Sequence, residues 1–207
     1  MPFASFGSIA EVARAYQIRC ERTPFVGSIS GPLGDSFRAE LDFTLREVHY
    51  DQGEPFVCET LIYPLLREVW KPYRDALTLW SHQSIAFDAD LCGVPDYIVA
   101  RRSPLGALVF DLPYLLVVEA KRDDFTRGWG QCLAAMLAAQ KLDPLQDRTL
   151  YGSTTNGRIW EFGRLQGNEF LQEPRLFPLQ DLETLAATLH FVMSECRDQV
   201  AEQPVSI

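Results

Sequence analysis

Three side chains carry the chemistry legible in this sequence: Asp96, Glu119 and Lys121. Glu119-Ala120-Lys121 closes the apolar run Leu115-Leu116-Val117-Val118. On an extended strand, residues two apart share a face, so Glu119 and Lys121 emerge together. Charged groups at the end of such a strand are costly to bury unless they are paired or bind an ion. Asp96 ends the turn Gly93-Val94-Pro95-Asp96, at the start of the preceding extended segment. If the two strands run antiparallel, Asp96 meets Glu119 across the pair. Adjacent carboxylates repel each other, and a hard divalent cation relieves that repulsion. Mg²⁺ or Mn²⁺ needs only one or two protein carboxylates beside water and phosphate oxygens. The backbone carbonyl of Ala120 would add another oxygen. Lys121 would then orient or deprotonate a water polarised by the cation, or stabilise charge in a phosphoryl transition state. A plain strand-end ion pair between Glu119 and Lys121, worth about 0–1 kcal/mol, is the simpler reading, but it leaves Asp96 unexplained.

The surrounding elements must hold those residues in place. Residues 8–22 read as a short helix with Ser8 as N-cap, and residues 23–35 as Gly/Pro-punctuated loop. Residues 37–50 are ambiguous. Phe37, Leu41, Leu45 and Val48 make a helical stripe; Phe37, Ala39, Leu41, Phe43 and Leu45 alternate as a strand, and the balance tips slightly to strand. Residues 58–73 repeat apolar side chains at helical spacing, with Pro64 inside and Pro72 marking an end near Lys71. Extended segments follow at 77–87, 94–102 and 115–121. An Ala-rich helix covers 128–142, Asn156-Gly157 marks a hairpin between two strands, and Asp181 caps a last helix. Three strands before a crossover helix predict a mixed sheet flanked by helices, α/β in the broad sense.

These residues resemble the PD-(D/E)XK nuclease superfamily, with Pro95-Asp96 as the PD element and Glu119-Ala120-Lys121 as the ExK element. Glu59 matches the acidic residue that many members carry on the first core helix as an additional metal ligand. Gln131 matches the glutamine on the helix after the ExK strand, there positioning the lysine or the water. Thr155-Asn156-Gly157-Arg158-Ile159-Trp160-Glu161-Phe162 is similar to a segment in the N-terminal nuclease regions of type I restriction motor subunits. The similarity runs from about Cys58 to Leu165 and extends to a bacterial group of small proteins. It implies a restriction-endonuclease-like core in αβββαβ order within a single domain, 1–207. Residues 1–57 would form an N-terminal extension and 166–207 a C-terminal helical region. The implied function is metal-dependent hydrolysis of nucleic acid, DNA first. The alternative is a catalytically silent binding or assembly module of the same fold.

Charge restrains the substrate reading. The 207-residue chain carries a formal net charge of −9. Residues 35–59 and 171–207 account for that whole surplus, with −5 and −4. The candidate site region, 87–131, is itself −2, which one divalent cation would neutralise. Arg101, Arg122 and Arg127, with Arg102, are the candidate phosphate contacts. Weak, salt-sensitive DNA affinity follows, or assistance from a partner protein. Trp129 and Trp160 read as core or cleft wall. Five isolated cysteines and the absence of a visible signal sequence suggest reduced thiols in a cytoplasm. The three histidines form no recognisable constellation, no membrane partner is expected, and a homodimer stays open.

Overall fold

The structure is a computed structural model and describes residues 3–50 and 52–201. A short 3₁₀ turn, Phe3–Ser5, precedes α1 (Ile9–Tyr16), β1 (Arg19–Arg22) and α2 (Asp35–Glu47). Helices α3 (Glu54–Val57) and α4 (Tyr63–Trp70) are joined by a π-helical turn, Cys58–Ile62. Strand β2 (Leu77–Ser81), the small hairpin β3 (Ile85–Ala86) and β4 (Cys92–Gly93), β5 (Tyr97–Arg102) and β6 (Phe110–Ala120) follow. Then come α5 (Phe125–Leu142), β7 (Leu150–Thr155), β8 (Ile159–Gln166), β9 (Glu169–Gln172), β10 (Phe177–Pro178) and α6 (Leu182–Ala201).

An eight-stranded mixed sheet organises these elements, in the order β1-β9-β8-β7-β6-β5-β2 with β10 paired to β8. The expected α/β class is therefore observed. Strands β2, β5 and β6 are antiparallel neighbours; α5 then crosses over so that β7 lies parallel to β6. One face of the sheet packs on α4 and α6 through Leu65, Leu66, Val118, Leu189 and Met193. The other packs on α5 through Val117, Leu133, Met136 and Leu150.

Helix α5 is buried from Gly128 to Gln140 without a break. Small side chains make this possible. A Cβ on Gly152 would lie 2.4 Å from Met136 Sδ, so the helix rests directly on β7. A Cβ on Gly130 would lie 2.6 Å from both Phe6 O and Ser8 N, so the N-terminal segment covers the helix's outer side.

Two expectations for the N-terminal region are corrected. Residues 35–47 are a helix, because only Leu41 and half-buried Phe37 reach the core; the alternation partners Ala39, Phe43 and Leu45 stay exposed. The first helix ends at Tyr16 rather than residue 22. Gln17 takes a left-handed conformation (φ 57°), Ile18 N donates to Ala13 O, and the chain turns into β1, parallel to β9. Pro64 explains the π turn. It has no N–H to donate, and its ring crowds the carbonyl four residues back. Tyr63 N instead reaches five residues back, to Cys58 O.

Glu173 fastens residues 23–26 to this sheet. Its side chain is fully buried and accepts hydrogen bonds from Phe25 N (2.9 Å), Val26 N (3.1 Å) and Arg175 Nε (2.7 Å). Burial alone would raise its pKa; the bonds from Arg175 and the backbone amides outweigh that and hold it at about 2. An unfolded glutamate titrates near 4.3. The folded value is the lower one, so this stabilisation is complete above about pH 5 and is lost as pH falls from about 4 to 2. Glu173→Gln is expected to cost about 2–3 kcal/mol at pH 7 and to flatten the acid limb of the stability curve. Urea unfolding at several pH values measures both, and an unchanged acid limb would remove Glu173 as its cause.

Candidate active site

Strand register brings the acidic residues together. Tyr97 pairs with Val118, which places Asp96 beside Glu119 at the end of the antiparallel pair β5–β6. Asp96 Oδ2 accepts a 2.7 Å hydrogen bond from Ala120 N, which fixes the carboxylate against the strand end. Glu119 is 5% exposed. Burial, then the adjacent Asp96 carboxylate, pushes its carboxyl well above the ordinary range, against the pull of Lys121. Lys121 Nζ lies 2.7 Å from Ala120 O, 3.3 Å from Glu54 Oε1 and 3.8 Å from Glu119 Oε2. One ammonium thus faces two carboxylates and a carbonyl, with the Asp96 carboxylate next to Glu119, an arrangement that attracts further positive charge.

Neighbouring elements hold this geometry. Lys121 N donates to Thr155 O at 2.8 Å, so the β7 end fixes the lysine backbone. The Asn156-Gly157 turn follows. Asn156 Oδ1 accepts from Arg158 N and Ile159 N, while its Nδ2 donates to Arg122 O. Gly157 has φ 80°, and a Cβ there would come within 2.6 Å of Val57, which lets α3 close on the turn. The Lys121 stem crosses Gly128, where a Cβ would lie 2.9 Å from Lys121 Cγ and 2.5 Å from Thr154 Cγ2. Asp124 starts that helix by accepting from Arg127 N at 3.0 Å.

The other predicted site residues divide. Glu59 lines a cavity of about 490 Å³ that reaches Asp96, but Glu54 is the helix carboxylate in contact with Lys121. Gln131 is buried on α5; among the described residues its side chain makes no hydrogen bond to Lys121, Asp96 or Glu119. Arg101 stands near the far end of β5, paired with Asp111 at 3.1 Å, and does not belong to the group. Arg122, paired with Asp123, and Arg127, whose Nη2 donates to Ala4 O, are exposed beside the site. Trp129 and Trp160 are both in the core.

His82 belongs to no recognisable constellation in the sequence. The structure puts its Nε2 3.6 Å from Asp96 Oδ1 and its N–H on Asp96 O at 3.0 Å. It has φ 52°, an uncommon conformation for a residue other than glycine.

Among the described residues, no group of three or more His, Cys, Asp or Glu side chains is arranged to hold a metal ion. The available set is two carboxylates and a carbonyl, Asp96, Glu119 and Ala120 O. That set fits a hard cation which keeps several waters and shares a phosphate, and does not fit a soft or fully caged one. No described helix is long and apolar enough to cross a membrane. Comparison with known proteins finds no matching family model and no match among curated proteins.

Proposed function

We propose that the protein is a Mg²⁺- or Mn²⁺-dependent phosphodiesterase acting on nucleic acid, DNA in the first instance, with a restriction-endonuclease-like core. The observation that carries this reading is the convergence of Asp96, Glu119, Ala120 O and Lys121 within one strand end. The succession α3–α4, β2, β5, β6, α5, β7 supports the αβββαβ core. Asp96 and Glu119 are the residues that would hold the cation, with Ala120 O beside them. When bound, the cation supplies charge neutralisation at the phosphate and a more acidic water. Positive charge nearby would favour the ionised form of Glu119, whose carboxyl is pushed above the ordinary range by burial and by Asp96 against the pull of Lys121. Lys121 places a full positive charge next to the same oxygens, where it can donate to a phosphate oxygen as negative charge develops. Glu54 restrains the ammonium from the helix side.

The test is DNA cutting by the purified protein with Mg²⁺ or Mn²⁺, compared with Lys121→Ala. The rival reading, a silent module of the same fold, is favoured by the absence of a third ligating side chain among the described residues. It predicts no cutting and no cation uptake.

A further inference from the structure

Apart from Asp96 and Glu54, the residues of the cavity beside Asp96 have no part in the hydrolytic scheme, and its walls differ from those of a phosphate channel. It lies between the turn joining α3 to α4 and the edge strand β2, with a volume of about 490 Å³. That is the size of a small-molecule pocket. A duplex, whose major groove alone is about 12 Å wide, does not enter it. Tyr63 forms one wall, 38% exposed and stacked on buried Tyr97 with ring centroids 6.0 Å apart. Leu79 forms the apolar wall on β2, while the Trp80 ring packs on Phe110 toward the other face of the sheet. At the mouth His82 sets its ring edge-on to Tyr97. The polar groups on the rim are mainly acceptors, Glu54, Glu59 and Asp96. Carboxylates repel a phosphate, but they accept hydrogen bonds from the amino group of a base.

We infer that this cavity takes one unpaired nucleobase bearing an exocyclic amino group, seated next to the phosphate held at Asp96 and Glu119. The inference rests on the hydrolase reading for that phosphate, but not on turnover. Aromatic and apolar walls receive the base face, as in single-strand recognition, and the rim carboxylates receive its amine. Single strands, flaps or extruded bases are then the substrates, and thymine is disfavoured because its edge offers no amine. A pocket of this kind also suits an acidic protein, since base contacts replace many of the phosphate contacts the chain lacks.

The experiment measures binding of fluorescent oligodeoxycytidine, oligothymidine and a blunt hairpin duplex in Ca²⁺, with cutting of each followed separately in Mn²⁺. Oligodeoxycytidine is expected to bind about tenfold more tightly than oligothymidine and than the duplex. Tyr63→Leu, which keeps apolar volume but loses the ring, is expected to erase most of the preference for single strand over duplex, with unchanged duplex binding. Tyr63→Ala is the second variant, and thermal melting confirms that each is folded. Equal binding of the two single strands, or a preference untouched by both variants, overturns the pocket. Discrimination without cutting of any strand leaves the pocket standing and rejects the hydrolase; cutting without discrimination does the reverse.

Discussion

Lys121→Ala is expected to lower DNA cutting in Mg²⁺ or Mn²⁺ by about 10²–10³-fold or more, the scale of removing one preorganised charge donor from a transition state. The ammonium sits in contact with Ala120 O and within 3.8 Å of Glu119 Oε2, so it is already placed where phosphate charge would develop. The fold should survive. The side chain is 17% exposed and stands beyond the last residue of β6, so its loss breaks no strand-ladder bond, and its other partner Glu54 is 39% exposed. The melting temperature should move by less than about 4 °C. Lys121→Met separates charge from packing, because it keeps the stem that lies over Gly128. Both variants should fail to cut. Either one cutting at the wild-type rate would reject the role given to the ammonium.

Arg148→Met is expected to destabilise the protein by about 3–5 kcal/mol, the largest stability change foreseen for a single substitution. Arg148 Nε lies 2.6 Å from Asp143 Oδ2, with the two side chains only 7% and 3% exposed. Asp143 caps the end of α5, and Arg148 Nη1 donates to Gln199 O at 2.9 Å, so the pair ties α5 to α6. Removing the guanidinium leaves a buried carboxylate without its counter-charge. At about 2–4 °C per kcal/mol for a chain of this size, the melting temperature should fall by roughly 6–20 °C. Adding Asp143→Asn should restore much of the loss, because the carboxylate then no longer needs a partner. Single and double variants that melt with the wild type would show that the pair contributes nothing. Cutting measured well below the lower melting temperature should be unchanged, since the pair stands at the opposite end of α5 from Gly128.

The parts of the site legible in the sequence are those set by strand periodicity. Glu119 and Lys121 are two residues apart at the end of a Val/Leu run, and an antiparallel neighbour beginning after Asp96 suffices to bring the third group in. The helix carboxylate that touches Lys121 is hidden in the sequence for a local reason. The helix starts at Glu54, with Pro55 in its first turn, and then widens at Cys58–Ile62. A π turn shifts the helical phase by about one residue, which a 3.6-residue period does not reveal. Glu54 lies before that turn, outside the helical repeat that begins at Cys58, and makes the lysine contact, while Glu59, expected as an additional metal ligand, lines the neighbouring cavity. Arg101 stands apart for another reason: it pairs with Asp111 on β6, near the opposite end of β5 from Asp96. The strand reading of 37–50 lost because one buried stripe, Phe37 and Leu41, was all the core required. His82 gave no signal, since its contact with Asp96 depends on the left-handed turn that ends β2.

Cation uptake tests the central claim most directly. Titration calorimetry with Mn²⁺ at neutral pH should show one ion bound per wild-type chain, and none at comparable affinity in Asp96→Asn or Glu119→Gln. Absence of uptake by the folded wild-type protein, or equal uptake by all three, would contradict the account.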